Sequence, residues 1–178
     1  MPRNPTATLI ALLVATACTE SGPTDPVVPD LSSPSLTAAF TTSPVRPFGG
    51  RCDTDIAFLP AEPGDPPNLL RLHIAYVCQL QHLGRTTASA LQVVLFTSPT
   101  TAIASNTTIY TAANGDQLFA SWTGTSTNIG PAITFSGTET YEGGSGRFAQ
   151  ASGSAWISGT ASFVTNTGQF VSSGSLSY

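Results

Sequence analysis

The chain has 178 residues, of which only 9 % are charged, and its ten acidic side chains, six arginines and absent lysines leave a formal net charge of −4. Soluble proteins carry about 25 % charged residues, and nucleic-acid binding needs a clustered basic face, so the charge balance argues against a nucleic-acid partner. The length suits one domain of ordinary size. The only segment apolar enough to approach a membrane is short and N-terminal.

Residues 1–17 have the build of an export signal. Arg3 supplies a positive start, and Leu9 to Ala15 form an apolar stretch too short to span a bilayer. The segment ends in Val14-Ala15-Thr16-Ala17-Cys18, and small residues ahead of a cysteine resemble the bacterial lipobox. That resemblance implies cleavage before Cys18 and diacylation of its thiol, with each buried CH₂ contributing about 0.8 kcal/mol to membrane attachment. A plain secretory signal cut after Ala17 is the alternative. Thr19 follows the cysteine where an inner-membrane retention signal would place Asp, so in a two-membrane bacterium the outer membrane is the expected address. Residues 18–49 contain Pro23, Pro26, Pro29, Pro34, Pro44 and Pro47 among Ser, Thr and Asp, with no apolar periodicity. They read as a disordered Pro/Ser/Thr-rich linker, with a short strand around Leu36 to Thr42 as the alternative.

From residue 50 onward, segments rich in Val, Ile, Thr, Phe, Tyr and Trp are cut by turn residues, and no stretch has a helical period. The expected strands are Cys52–Leu59, Leu69–His82, Arg85–Phe96, Thr107–Ala112, Gln117–Gly124, Ala132–Tyr141, Ser154–Phe163 and Gln169–Ser177. Short connections favour up-and-down neighbours. If Leu59 faces Arg71 across the loop, Cys52 lies opposite Cys78, Ile56 opposite Ile74 and Phe58 opposite Leu72, all on one face. Apolar alternation and cysteine placement thus agree on a Cys52–Cys78 disulfide, which export permits; two packed free thiols are the alternative. A tight turn at His82–Arg85 sets Leu91, Val93 and Leu95 against Tyr76, Ile74 and Leu72, and aims Val93 at the core. The Asn114-Gly115 turn sets Tyr110 against Phe119. The last hairpin opposes Phe163 to Phe170 and Ile157 to Leu176. Closure into an eight-stranded antiparallel up-and-down barrel over 50–178 removes exposed edges, and an interior of that size holds side chains or one small ligand. An open sandwich of the same strands is the alternative.

The run Gly143-Gly144-Ser145-Gly146-Arg147-Phe148-Ala149-Gln150-Ala151-Ser152-Gly153 resembles the GGTGRFxGAxG signature of allene oxide cyclase-like and dirigent-like barrels and of exported bacterial relatives. Ala113 to Gln117, and His82 to Thr87, are similar to patterns in those bacterial relatives. The resemblance covers roughly residues 50–178 and implies an eight-stranded barrel with a hydrophobic interior. The acidic and aromatic pocket residues of the plant enzymes have no position-by-position match here, so their chemistry is not carried over. The glycine-rich run suits a turn doubling back between the sixth and seventh strands, with Phe148 placed to plug a barrel end. It lacks the lysine and spacing of a phosphate loop.

Up-and-down topology gathers His82, Arg85, Asp116, Glu139, Tyr141, Glu142, Arg147 and Tyr178 at one end. By parity Glu139 shares a face with Ile133, Phe135 and Tyr141, and His82 lines up with Leu72, Ile74 and Tyr76. His82, Arg85 and Glu139 are therefore the candidates for acid–base work at the mouth of an apolar cavity. The alternative is a structural role, with Glu139 paired to Arg85 or Arg147 and His82 bonded to a turn. Tyr76, Trp122, Phe135 and Tyr141 are the candidate ligand-binding residues, while Trp122 and Trp156 either line a cavity or pack in the core. His73 shares a face with Arg71 and reads as a solvated residue. His73 and His82 differ in parity, no zinc spacing is present, and no metal or cofactor is expected. Three functions stay open: a tethered barrel binding a small apolar or aromatic ligand, a structural or envelope-interaction lipoprotein with a filled core, and a cyclase- or isomerase-like enzyme.

Overall fold

The computed structural model describes residues 43–129 and 132–178. The expected export signal, Cys18 and most of the linker, including the alternative strand at Leu36 to Thr42, lie outside the described residues. The described chain forms β1 (Val45–Leu59), β2 (Leu69–Leu80), β3 (Gly84–Ser98), β4 (Thr101–Thr111), β5 (Gln117–Ile129), β6 (Ala132–Gly144), β7 (Ser152–Ser162) and β8 (Thr167–Ser177), with one short 3-10 turn at Gly146–Phe148. Each strand pairs antiparallel with its sequence neighbours, and β1 pairs with β8, so the sheet is a closed up-and-down barrel. Closure rules out the open sandwich. β1 begins at Val45 because Val45 to Phe48 already pair with β8, which moves the start of the barrel ahead of residue 50.

The β1–β2 register is the one that alternation and the cysteines require: Cys52 faces Cys78, Ile56 faces Ile74 and Phe58 faces Leu72. Cys52 and Cys78 are joined in a disulfide. It lies inside the barrel, with both cysteines buried.

Three of the expected hairpin registers are corrected. Between β2 and β3 the pairing is Leu72–Gln92, Ile74–Ala90 and Tyr76–Ala88, so Leu91, Val93 and Leu95 point outward and Val93 does not aim at the axis. The cause is the turn. Leu83 is buried, His82 adopts φ 65°, and three residues separate Leu80 from its partner Gly84. An odd displacement in a structure of period two moves a whole strand to its other face. The outcome also packs better, because Ala88 and Ala90 leave room for the Tyr76 ring where Leu91 would not. At the Asn114–Gly115 hairpin, Tyr110 faces Leu118, and Phe119 pairs with Ile109 on the outside. Gly115, at φ 88°, lengthens that turn to a three-residue loop, a geometry that glycine tolerates without strain. In the last hairpin Phe170 faces Gly159 and Leu176 faces Gly153, four residues from the expected pairing. That even displacement keeps Phe170 and Leu176 inside.

The two barrel ends differ. At the end holding the β2–β3, β4–β5 and β6–β7 connections, the bulge before Gly144, with Gly143 at φ 93°, lets the chain fold inward. Phe148 is thereby fully buried, alongside Leu118 and Leu176. Its ring packs 5.0 Å from that of Tyr178, and the Arg147 guanidinium caps it at 4.7 Å. Arg147 also donates to the His82 carbonyl at 2.6 Å, tying this plug to the β2–β3 turn. At the opposite end, Arg71 grips Asp65 through two hydrogen bonds of 2.8 and 2.9 Å, closing the long β1–β2 loop. Arg71 holds the Asp65 carboxyl down to about 2.

Two stability predictions follow from this architecture. Replacing both Cys52 and Cys78 by alanine opens a loop spanning 26 residues, and a loop of that length is worth about 3 kcal/mol in the unfolded chain; thermal unfolding with and without reductant measures it. Phe148→Ala empties the plug and should cost about 3–5 kcal/mol, read by urea denaturation, whereas Phe119→Ala on the outside should cost far less.

Candidate functional site

The bore is built from alternate residues of all eight strands, and their sizes are matched. Gly159 sits between Phe135 and Phe170, where an added Cβ would come within 2.8 Å of Phe135 Cζ and 2.6 Å of Phe170 Cβ. Gly124 makes the same kind of space for the Trp122 indole. Small residues, on the neighbouring strand or two positions along the same one, therefore let large rings reach the axis.

Five of those rings touch in sequence around the bore. Tyr110 stacks on Tyr76 at 6.4 Å, Tyr76 meets Phe170 edge-on at 5.5 Å, Phe170 meets Phe135 at 6.5 Å, and Phe135 meets Trp122 at 6.2 Å. Glu139 closes the circle. It faces Trp122 across the β5–β6 ladder and accepts a 2.8 Å hydrogen bond from the Tyr110 hydroxyl. The result is a girdle of five aromatic rings and one carboxyl group at mid-barrel. Glu139 is only 2 % exposed. Burial pushes its pKa up to about 7, and donation from Tyr110 offsets part of that shift. Burial likewise pushes the Tyr76, Tyr110 and Tyr141 phenols well above their ordinary value.

A polar ladder runs beside the girdle on β3 and β4. The Thr108 hydroxyl donates to Asn106 Oδ1 at 3.0 Å, and Asn106 Nδ2 donates to Gln92 Oε1 at 3.2 Å. Among the described residues, three buried atoms, Trp122 Nε1, the Tyr141 hydroxyl and Ser172 Oγ, find no hydrogen-bond partner. Buried polar atoms are normally satisfied, and of these three only Trp122 lines the cavity described below, where a water or a ligand group can meet its N–H.

A cavity of about 70 Å³ lies against the girdle, lined by Glu139 and the five rings and, above them, by Ile56, Leu72, Gln92, Phe96 and Phe163. Phe96, Phe135 and Phe163 are half-buried, and the cavity lining extends toward the end opposite the Phe148 plug.

This geometry corrects the expected mouth. His82 does not face inward: it lies exposed in the β2–β3 turn, with its Nε2 2.9 Å from the Pro47 carbonyl oxygen. Arg85 is exposed on the outer face opposite Gln79. The plug separates both from Glu139, which they do not approach, and Arg147 spends its hydrogen bond on His82. Of the candidate ligand-binding residues, Tyr76, Trp122 and Phe135 line the cavity. Tyr141 is buried on the plug side, packed edge-on against Phe48 at 5.0 Å. Trp156 is exposed on the outside. His73 lies on the outer face, 3.0 Å from Ser89 Oγ. Sequence reasoning missed Tyr110 and Phe170 as site residues, as well as Gln92 and Asn106. For Tyr110 the lost signal was parity, since a one-residue error in its hairpin hides its side from view. Comparison with family models, with characterised proteins and with solved structures gives no match.

A carboxyl group whose folded pKa is raised from 4.5 to about 7 favours folding below pH 4.5, and that advantage is lost as pH rises through 7. The stability of the wild type should therefore fall by about 3 kcal/mol between pH 5 and pH 8. Glu139→Gln should flatten the dependence, as read by urea denaturation at the two pH values.

Proposed function

We propose that the chain is an exported lipoprotein, anchored through acyl chains on Cys18, whose barrel takes a small apolar or aromatic ligand into the bore through the unplugged end. The observation that carries this reading is the cavity against the girdle: an apolar space with one buried carboxyl group and an unpartnered indole N–H, the pattern of a small-molecule site. The eight-stranded closure and the glycine-rich run leading to the buried Phe148 are in keeping with kinship to allene oxide cyclase-like and dirigent-like barrels. The cyclase- or isomerase-like reading needed one pocket joining His82, Arg85 and Glu139, and the plug stands between them. Residues 1–17 support export, and the Pro-rich stretch that follows supports a tether holding the barrel off the outer membrane of a two-membrane cell.

A second reading, a structural or envelope-interaction lipoprotein with a filled core, is favoured by the cavity's size. About 70 Å³ is only about five times the ~10–15 Å³ that one water needs, room for a few waters or, on the first reading, for one ring or a compact branched group.

Mass spectrometry of small molecules released from the protein purified out of its own membrane fraction separates the two readings. A stoichiometric organic molecule is expected, and its release should shift the Trp122 emission in a Trp156→Phe background. Protein that carries none, and whose Trp122 emission no small aromatic or alkyl probe moves, is the outcome for a filled core. Cys18→Ser should move the protein from the membrane pellet to the soluble fraction.

A further inference from the structure

The girdle contains an acid without a base. The chain has no lysine, and the described arginines are all engaged at or near the outside. Arg46 binds the Tyr178 hydroxyl, Arg51 binds Gln169, Arg71 binds Asp65, Arg147 binds the His82 carbonyl and Arg85 is exposed. Both histidines are also on the outside, bonded to Ser89 and to the Pro47 carbonyl. Among the described residues, the titratable groups facing Glu139 are Tyr76 from β2, Tyr110 from β4 and Tyr141 from β6, all uncharged phenols. A buried carboxylate needs an opposite charge beside it or else takes up a proton.

The surroundings match a particular source of that charge. Electron-rich ring faces attract cations, and cages of such rings are the general means of holding alkylated ammonium groups. Here Tyr76, Tyr110, Trp122, Phe135 and Phe170 line one cavity together with Glu139. A trimethylammonium head, with about five non-hydrogen atoms, suits a space of about five water-sized groups. We propose that the occupant of the bore is a compact organic cation, an alkylated ammonium whose charge is met by the Glu139 carboxylate and whose methyl groups rest on the aromatic girdle. This rests on the reading of the bore as a ligand site, and narrows its ligand to one charge.

Choline and its neutral isostere 3,3-dimethylbutan-1-ol, in which carbon replaces the charged nitrogen, test the proposal. Titration calorimetry of the full-length protein in detergent, supported by Trp122 emission in the Trp156→Phe background, reads their affinities at pH 8 and pH 6. Choline should bind at least about tenfold more tightly than the isostere at pH 8. It should weaken by about tenfold at pH 6, where Glu139 takes up a proton, while the isostere stays unchanged. Glu139→Gln should abolish the preference for choline and keep the isostere. Tyr110→Phe, which leaves the carboxylate in place, should keep the preference, and the wild-type pH profile stands even if the Gln variant does not fold. Equal affinities for the two probes at pH 8 overturn the cation and leave an apolar-ligand site standing. No binding of either probe at millimolar concentration, with Trp122 emission unmoved by neutral aromatic probes as well, overturns both readings.

Discussion

One hydrogen bond inside the barrel, from the Tyr110 hydroxyl to the Glu139 carboxyl, sets the terms for everything around it. In a bore lined by Ile, Leu, Phe and Trp, a carboxyl group is costly to bury, and a single neutral donor offsets only part of that cost. The pKa of Glu139 rises accordingly. An acid that had only to fill space would be better replaced by an apolar side chain of its own size. Its position at mid-barrel, between Trp122 and Tyr110 in a circle of rings, is the observation on which the proposed ligand site rests.

The rest of the barrel makes that position possible. Eight strands leave an interior too narrow for a large residue at every position, and the chain alternates glycine and alanine with aromatic rings around it. Ala88 and Ala90 admit Tyr76, Gly124 admits Trp122, and Gly159 admits both Phe135 and Phe170. The disulfide holds β1 to β2 on the same inner face. Phe148 and the residues around it fill one end, and the cavity lies toward the other. A closed sheet also explains how so few charges suffice, because no strand edge is left to pair with a second molecule. The cost appears on the outside, where Leu91, Ile103, Ile109 and Phe119 remain exposed on β3, β4 and β5.

The closed, antiparallel topology was legible from turn residues and alternation alone, and so was the β1–β2 register, where two independent features constrained one number. Register failed where only the turn constrained it. The β2–β3 turn draws Leu83 inward and the β4–β5 turn takes an extra residue at Gly115, and each sends a strand's odd and even residues to faces opposite those expected. Tyr110 was thus placed against Phe119, and His82 was aligned with the core. Glu139, Tyr76, Trp122 and Phe135 were legible because parity within a single strand needs no partner. What joins them is not: the girdle is made by residues from five strands, and the order in which their rings touch depends on strand tilt and stagger, which no local pattern encodes. The same limit put the mouth at the wrong end: Phe148 was legible as a plug, but not its complete burial with the Tyr178 ring packed on it at the end that collects the most polar residues.

The central claim is that Glu139 is an acid sealed in an aromatic bore and bonded to Tyr110. Carbon-13 NMR of the glutamate side-chain carboxyl groups across pH 4 to pH 9, with Glu139→Gln to assign the resonance, tests it most directly. The expected result is a Glu139 midpoint near 7, moved when Tyr110 is replaced by Phe. A midpoint near 4.5, indifferent to Tyr110, would mean that the carboxyl group stands in water, and it would contradict the account.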